Sequence, residues 1–289
     1  MHRELREEMS QTWLLSGIPR SGTSLCCRLA GELPDTVALS EPMRHEVLAG
    51  VDSPDQACLR IEEFTRQARV RILGEGRALS IQRDGRLDDN MVAGEFSRGG
   101  LRTRNASLGE IEVGKALRPE FTLLVKHNAL FAALLPQLIV SFACLALVRN
   151  PLAVLASWQT VSLPVHDGRI PAGEQFDSAL RGRLAAEPDA LRRQIAVLNW
   201  FFSGYLSHLE RDNIIRYEDL VDSGGSVLFR LLGHADAVPI PLENRNTNLL
   251  YKGSMADVLL RALMEEGGAW SEFYEPAECE RAADLIRVR

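Results

Sequence analysis

Residues 12–24, TWLLSGIPRSGTS, constrain the fold more than any other stretch. An apolar run ends at Gly17, a second glycine, Gly22, follows after four residues, and SLCCRLAGEL begins two residues later. The apolar run reads as a buried strand, the two glycines as a tight turn, and SLCCRLAGEL as a helix. A strand that feeds a helix through a glycine loop is the first half of a β-α-β unit and commits the chain to a parallel sheet. The same geometry gathers backbone N–H groups at a helix N-terminus, where the helix dipole favours an anion.

The rest of the chain continues the alternation. TVALS reads as a second strand ending at Glu41-Pro42, and Pro54 to Leu73 as a helix. Residues 75–118, rich in Arg and Gly, read as irregular. FTLLVK is a strand ending at Lys126, followed by a helix, a break and the buried strand SFACLALV, which ends at Arg149. PLAVLASW starts a helix on a proline. Residues 161–187 carry Pro164, Gly168, Pro171 and Gly173 and read as a mobile loop. A long helix toward Arg211, the strand NIIRYE, a glycine-interrupted helix and a mostly helical remainder complete the chain. The expected fold is one three-layer, P-loop-type α/β domain over residues 1–289, a parallel sheet with helices on both faces. Ligands in such sheets bind at the carboxyl ends of strands. Glu41, Lys126 and Arg149 each follow a predicted strand, so one sheet edge is expected to gather them.

The net charge of −6 argues against a nucleic-acid partner but leaves room for a local basic pocket. Only Lys115, Lys126 and Lys252 are lysines, so a lysine inside a motif stands out. The five cysteines have no metal spacing, and Cys26 and Cys27 are adjacent; this usage fits a reducing, cytoplasmic setting. The first residues, MHRELREEMSQTW, show no apolar leader. The apolar stretch from Leu130 to Val148 is broken by Pro136-Gln137 and reads as helix plus strand, not as a membrane span. The sequon Asn105-Ala-Ser107 carries no meaning in that setting.

GIPRSGTS matches the nucleotide-binding pattern G-x-x-x-x-G-K-[ST] except that Thr23 stands in place of the lysine. Arg20, inside the loop, supplies the missing cation, and Thr23 and Ser24 supply hydroxyls. An ATPase or kinase also needs a metal-binding acid after a buried strand. Here that place holds Arg149-Asn150-Pro151. An arginine suits a second phosphate, and Ser157 two helical turns later completes a second anion site. Two phosphate sites and no evident metal site are therefore expected.

These residues resemble the PAPS-dependent sulfotransferases. GIPRSGTS is similar to their 5′-phosphosulfate loop, and RNPLAVLAS to their 3′-phosphate motif, an Arg followed eight residues later by a Ser. RYEDL resembles their segment near the adenine, and TLLVKHNALFAALLPQL their lysine-bearing strand and helix. YKGS resembles their late Arg-Lys-Gly loop, with Tyr251 in place of the Arg. The matches run in family order from residue 12 to 254, and the loop is closest to the tyrosylprotein and bacterial types. The resemblance implies a metal-independent, in-line transfer of a sulfuryl group from 3′-phosphoadenosine 5′-phosphosulfate (PAPS) to a hydroxylated acceptor. It implies nucleotide contacts at Gly17, Pro19, Arg20, Ser21, Gly22, Thr23, Ser24, Arg149, Ser157, Tyr217, Lys252 and Gly253. Lys126 corresponds to the lysine that contacts the transferring group.

Such a transfer needs a base for the acceptor proton and a cation near the bridging oxygen. Glu41 leads as base, lying 21 residues after Arg20 as in the tyrosylprotein type. His127 is the rival, since cytosolic members use a His in Lys-x-His, but here it adjoins Lys126. Neighbours at a strand end point to opposite faces, so His127 is expected to face away if Lys126 faces the donor. His45 is a third candidate. The cluster Arg98, Arg102 and Arg104 reads as a solvated loop in preference to a receptor for an anionic acceptor. Two other readings stay open, an ATP- and magnesium-dependent phosphotransferase and a non-catalytic PAPS-binding protein.

Overall fold

The computed structural model describes residues 11–43, 45–92 and 95–288. The central sheet has five parallel strands: β1 (Thr12–Gly17), β2 (Thr36–Ser40), β5 (Thr122–Lys126), β6 (Ala143–Val148) and β7 (Ile214–Arg216), in the order β2-β5-β1-β6-β7. Alternation along each strand sends its side chains into two separate cores. Leu14, Leu39, Val125, Ala146 and Ile214 join one core, which includes Phe201, Phe202 and Tyr205 of helix α8 (Ala190–His208). Leu15, Ala38, Leu124, Leu147 and Ile215 join the other, beneath helix α1 (Thr23–Glu32) and Phe229. Helices thus cover both faces, which gives three layers. Ser16 Oγ and the hydroxyl of Tyr205 share a buried hydrogen bond of 2.8 Å, which ties β1 to α8.

The sheet register gathers the strand ends. Lys126 pairs with Ser40 on one side and Leu15 on the other, and Gly17 pairs with Leu147. Glu41, Lys126, the glycine loop and Arg149 therefore lie along one edge.

Two segments differ from expectation. Residues 75–118 contain an antiparallel pair, β3 (Arg77–Gln82) and β4 (Ser107–Glu112), which follows helix α2 (Pro54–Glu75). The 24 intervening residues hid this pairing, since sequence cues for hairpins rest on short turns. The Ser40 amide donates to Ser80 Oγ at 2.9 Å, which hangs the small sheet beside β2 and carries its long connection over the strand ends. Residues 161–187 form a short 3-10 turn (Pro164–Asp167) and helices α6 (Pro171–Phe176) and α7 (Ser178–Ala186), where the sequence reads as a loop. Pro164 and Pro171 start these elements, a position where a missing N–H and a preset φ are harmless.

The apolar stretch after His127 forms two short helices, α3 (Asn128–Ala133) and α4 (Leu135–Leu138), before β6. Among the described residues no helix is long and apolar enough to cross a membrane. Helix α5 (Pro151–Trp158) follows β6, with Asn150 accepting from the Leu152 and Ala153 amides. Helices α9 (Tyr217–Asp222) and α10 (Ser226–Leu231) follow β7, and α11 (Gly253–Glu266) and α12 (Pro276–Arg287) complete the described elements.

Candidate functional site

The loop between β1 and α1 is held from several sides. Ser21 N–H donates to Ile18 O at 2.9 Å and Ser21 Oγ to Leu147 O at 3.0 Å. Trp158 Nε1 donates to Pro19 O at 2.8 Å, and Arg149 Nη1 to Arg20 O at 2.8 Å. Gly22 takes a φ of 100°, and a Cβ there would stand 2.8 Å from the Tyr217 ring. A Cβ on Gly17 would meet Thr23 Cγ2 at 2.3 Å. Both glycines are therefore required by the path of the chain. No side chain caps the N-terminus of α1, so its amides remain available to an anion.

This loop forms one wall of a cavity of about 620 Å³. Pro19, Arg20, Gly22, Thr23, Ser24, Glu41, Lys126, His127, Arg149 and Tyr217 all line it. The other predicted residues do not. Gly17 and Ser21 support the loop from beneath. Ser157 Oγ lies behind Arg20 and accepts from its Nε at 3.3 Å. Lys252 is exposed at the start of α11 and Gly253 follows it, while the buried Tyr251 reaches the cavity in their place. His45 lies in a 3-10 turn, and its side chain is outside the described residues.

The arginine cluster is divided. Arg98 is exposed, as a solvated loop predicts. Arg102, only 6% exposed, and Arg104 line the cavity, contrary to that reading. The reason is tertiary: Arg102 bridges by its backbone to Val161, which pulls the connection between β3 and β4 inward. Asn90 and Arg245 also reach the cavity without a sequence motif to announce them, and Tyr251 reaches it from the YKGS segment.

Glu41 has a left-handed φ of 44°, so the chain after β2 folds across the end of β5. Its amide donates to Lys126 O at 2.8 Å. Its carboxylate accepts from Lys126 Nζ at 2.8 Å and from Arg104 Nη2 at 3.2 Å. Burial alone would raise this carboxyl, but Lys126, and then Arg104, outweigh it and hold it at about 2. Glu41 is thus ionised at neutral pH.

His127 lines the same cavity as Lys126, although the two side chains leave the strand end toward different cores, His127 beside Phe131 and Lys126 near Cys27. The His127 ring packs edge-on against Phe131 at 5.2 Å, and Nε2 accepts from the Met43 amide at 3.4 Å. That bond places the proton on Nδ1 and occupies the other nitrogen. Burial pushes the ring down to about 4, more than the nearby Glu41 carboxylate pulls it up. Between its ordinary value near 6.5 and about 4, the folded chain therefore binds fewer protons here than the unfolded chain. Stability falls as pH drops through that window, by about 3 kcal/mol in total. His127→Gln is expected to flatten this loss, measured as denaturant midpoints between pH 7 and 4. Equal slopes in the variant and the parent would disprove the assignment.

Arg20, at a φ of 74°, donates through Nη1 to Asn90 Oδ1 at 2.9 Å. Burial, with Arg102 and Arg149 adding repulsion, lowers it to about 10, so it remains cationic. Burial also lowers Arg102. The guanidinium of Arg149 lies 4.5 Å from the Tyr217 ring centroid. Arg20, Arg102 and Arg149 have only neutral acceptors as hydrogen-bond partners among the described residues. Beyond Glu41, the wall near His127 becomes apolar, with Met91, Val92, Ala129, Leu130, Val165 and Ile170. It is built from the two segments that differ most from the sequence reading and from α3, which packs on α6. Among the described residues no three His, Cys, Asp or Glu side chains converge to hold a metal ion.

The chain matches no protein-family model and no curated protein.

Proposed function

We propose that the chain is a sulfotransferase that takes a sulfuryl group from PAPS and passes it to a hydroxylated acceptor. The observation that carries this reading is the set of three guanidiniums, Arg20, Arg102 and Arg149, beside an uncapped helix N-terminus and without carboxylate partners among the described residues. Clustered cations in a partly dry cavity repel one another and stand only where an anion compensates them. The spread of charge suits a ligand with two separate phosphate-bearing groups. The glycine loop offers amides to one, with the hydroxyls of Thr23 and Ser24. The Tyr217 ring, against Gly22 and Arg149, offers a flat surface for a base.

When bound, the donor supplies the sulfuryl group, and the chain's own residues supply proton removal and charge stabilisation. Glu41 already carries the charge a base requires. Lys126 holds that charge in the free chain. Negative charge arriving at Lys126 weakens its hold on Glu41 and makes the carboxylate a stronger base. Arg20 and Lys126 stabilise the oxygens on which charge builds. The acceptor approaches Glu41 along the apolar wall. His127, with Nε2 committed to the Met43 amide, orients the turn.

The test is ligand stabilisation in the presence of EDTA. At a hundredfold excess over its Kd, 3′,5′-ADP is expected to add about 2.7 kcal/mol, a rise in Tm on the order of 5 °C. A larger shift with ATP and magnesium would overturn the sulfotransferase reading in favour of a phosphotransferase.

A further inference from the structure

Among the described residues, Arg102 lines the cavity with a buried guanidinium that the protein leaves largely unpaired. It lies in the connection between β3 and β4 and is fixed from both sides of its backbone. Its N–H donates to Thr160 O at 2.9 Å, and its carbonyl accepts from Ser162 N–H at 2.8 Å. The side chain is buried, yet among the described residues its guanidinium makes a single hydrogen bond, from Nη2 to Thr160 Oγ1 at 2.5 Å. Nε is buried with no partner among the described residues. A buried donor without an acceptor is unfavourable, and a charged one more so. The charges around it make matters worse, since Arg149 and Arg20 are both cationic.

Arg149 is different. Its Nε donates to Asn246 Oδ1 at 2.8 Å, Nη1 to Arg20 O at 2.8 Å, and Nη2 to Arg245 O. Each nitrogen is therefore engaged in clamping the glycine loop to residues 245–246. Ser157, the expected companion of Arg149, is turned toward Arg20 and does not line the cavity. Among the described residues Arg149 keeps two of its five N–H groups unused and Arg102 keeps four, and Tyr251 stands beside Arg102, buried and lining the same cavity. We infer that Arg102, with Tyr251, binds the second phosphate of the ligand, the one not held by the glycine loop. On the reading above, this is the 3′-phosphate. The connection between β3 and β4 then decides which nucleotides the site accepts, because it delivers the guanidinium that recognises a phosphate monoester on the ribose.

Arg102→Met keeps the length of the stem and removes the charge. Binding of 3′,5′-ADP, measured by calorimetry, is expected to weaken by about 10- to 100-fold. Binding of 5′-AMP, which lacks that phosphate, is expected to change by less than about twofold. Arg102→Lys, a point charge without the planar fork, is expected to recover part of the affinity. Equal binding of 3′,5′-ADP by variant and parent would overturn the inference and leave the sulfotransferase reading standing. Equal losses for both nucleotides would also overturn it, showing that Arg102 only braces residues 160–162. A parent that binds neither nucleotide, but is stabilised by inorganic phosphate in an Arg102-dependent way, would overturn the sulfotransferase reading and keep the anion site. If Arg102→Met does not fold, the loss of 3′,5′-ADP relative to 5′-AMP in Arg102→Lys decides the matter.

Discussion

Glu41→Gln is expected to slow sulfuryl transfer by about 10²- to 10⁴-fold while leaving 3′,5′-ADP bound as tightly as in the parent, or more tightly. The amide keeps the shape of the carboxylate and a hydrogen bond to Lys126, but it accepts no proton. Removing a negative charge from a cationic cavity does not weaken an anionic ligand. The substitution also leaves Lys126, 3% exposed, without its counter-charge, so some loss of stability is expected. Breaking a fully buried pair costs about 3–5 kcal/mol. Here the remaining hydrogen bond and the open cavity reduce it to about 1–3 kcal/mol. The sign of the pH dependence follows from the depressed carboxyl. Its contribution is present above the ordinary carboxylate range and is lost as pH falls through about 2, and Glu41→Gln removes it. Single-turnover transfer from labelled PAPS, over a panel of hydroxylated sugars, phenols and lipids, measures the chemical step. Full activity in Glu41→Gln together with a dead His127→Asn would move the base to His127. Loss of nucleotide binding along with activity would make Glu41 a brace for Lys126 and nothing more.

The second large effect separates stability from function. Arg20→Gly is expected to make the ligand-free protein more stable and to weaken 3′,5′-ADP by at least about 100-fold. A non-glycine residue at a φ of 74° is strained by about 1 kcal/mol, and glycine removes that strain. Burial beside Arg102 and Arg149 disfavours the charged form, which after allowance for solvent screening contributes at most about 2 kcal/mol against folding. Against these stand two hydrogen bonds, to Asn90 and Ser157, each worth about 1 kcal/mol. The balance favours the variant by roughly 1 kcal/mol. Chemical denaturation of the free protein and calorimetry with 3′,5′-ADP read the two effects independently. A less stable variant that still binds the nucleotide would show that Arg20 holds the loop together and has no ligand to meet.

Much of the frame can be read along the chain. The apolar runs ending at Gly17, Ser40, Lys126, Val148 and Arg216 are strands buried on both faces, and such strands are continuous enough to find without partners. The glycine loop is visible because backbone geometry allows few residue types there. The antiparallel pair of residues 77–82 and 107–112 is not visible, because its stability comes from partners far away in sequence. The helices of residues 171–186 were hidden for a different reason: proline marks a loop and a helix start equally well.

What the sequence determined by itself is the order of the strands along the chain, the anion-ready turn after the first of them, and the residue types at each strand end. Local backbone preference and hydrophobic period are enough for these. What only the tertiary structure decided is which side chains meet. A bridge between Arg102 and Val161 turned a loop arginine into a buried one, and the left-handed turn at Glu41 brought Lys126 and His127 to the same cavity. The same packing left Lys252 outside and put Tyr251 within. Contacts of this kind depend on how distant segments cross, and no local pattern of residues encodes that crossing.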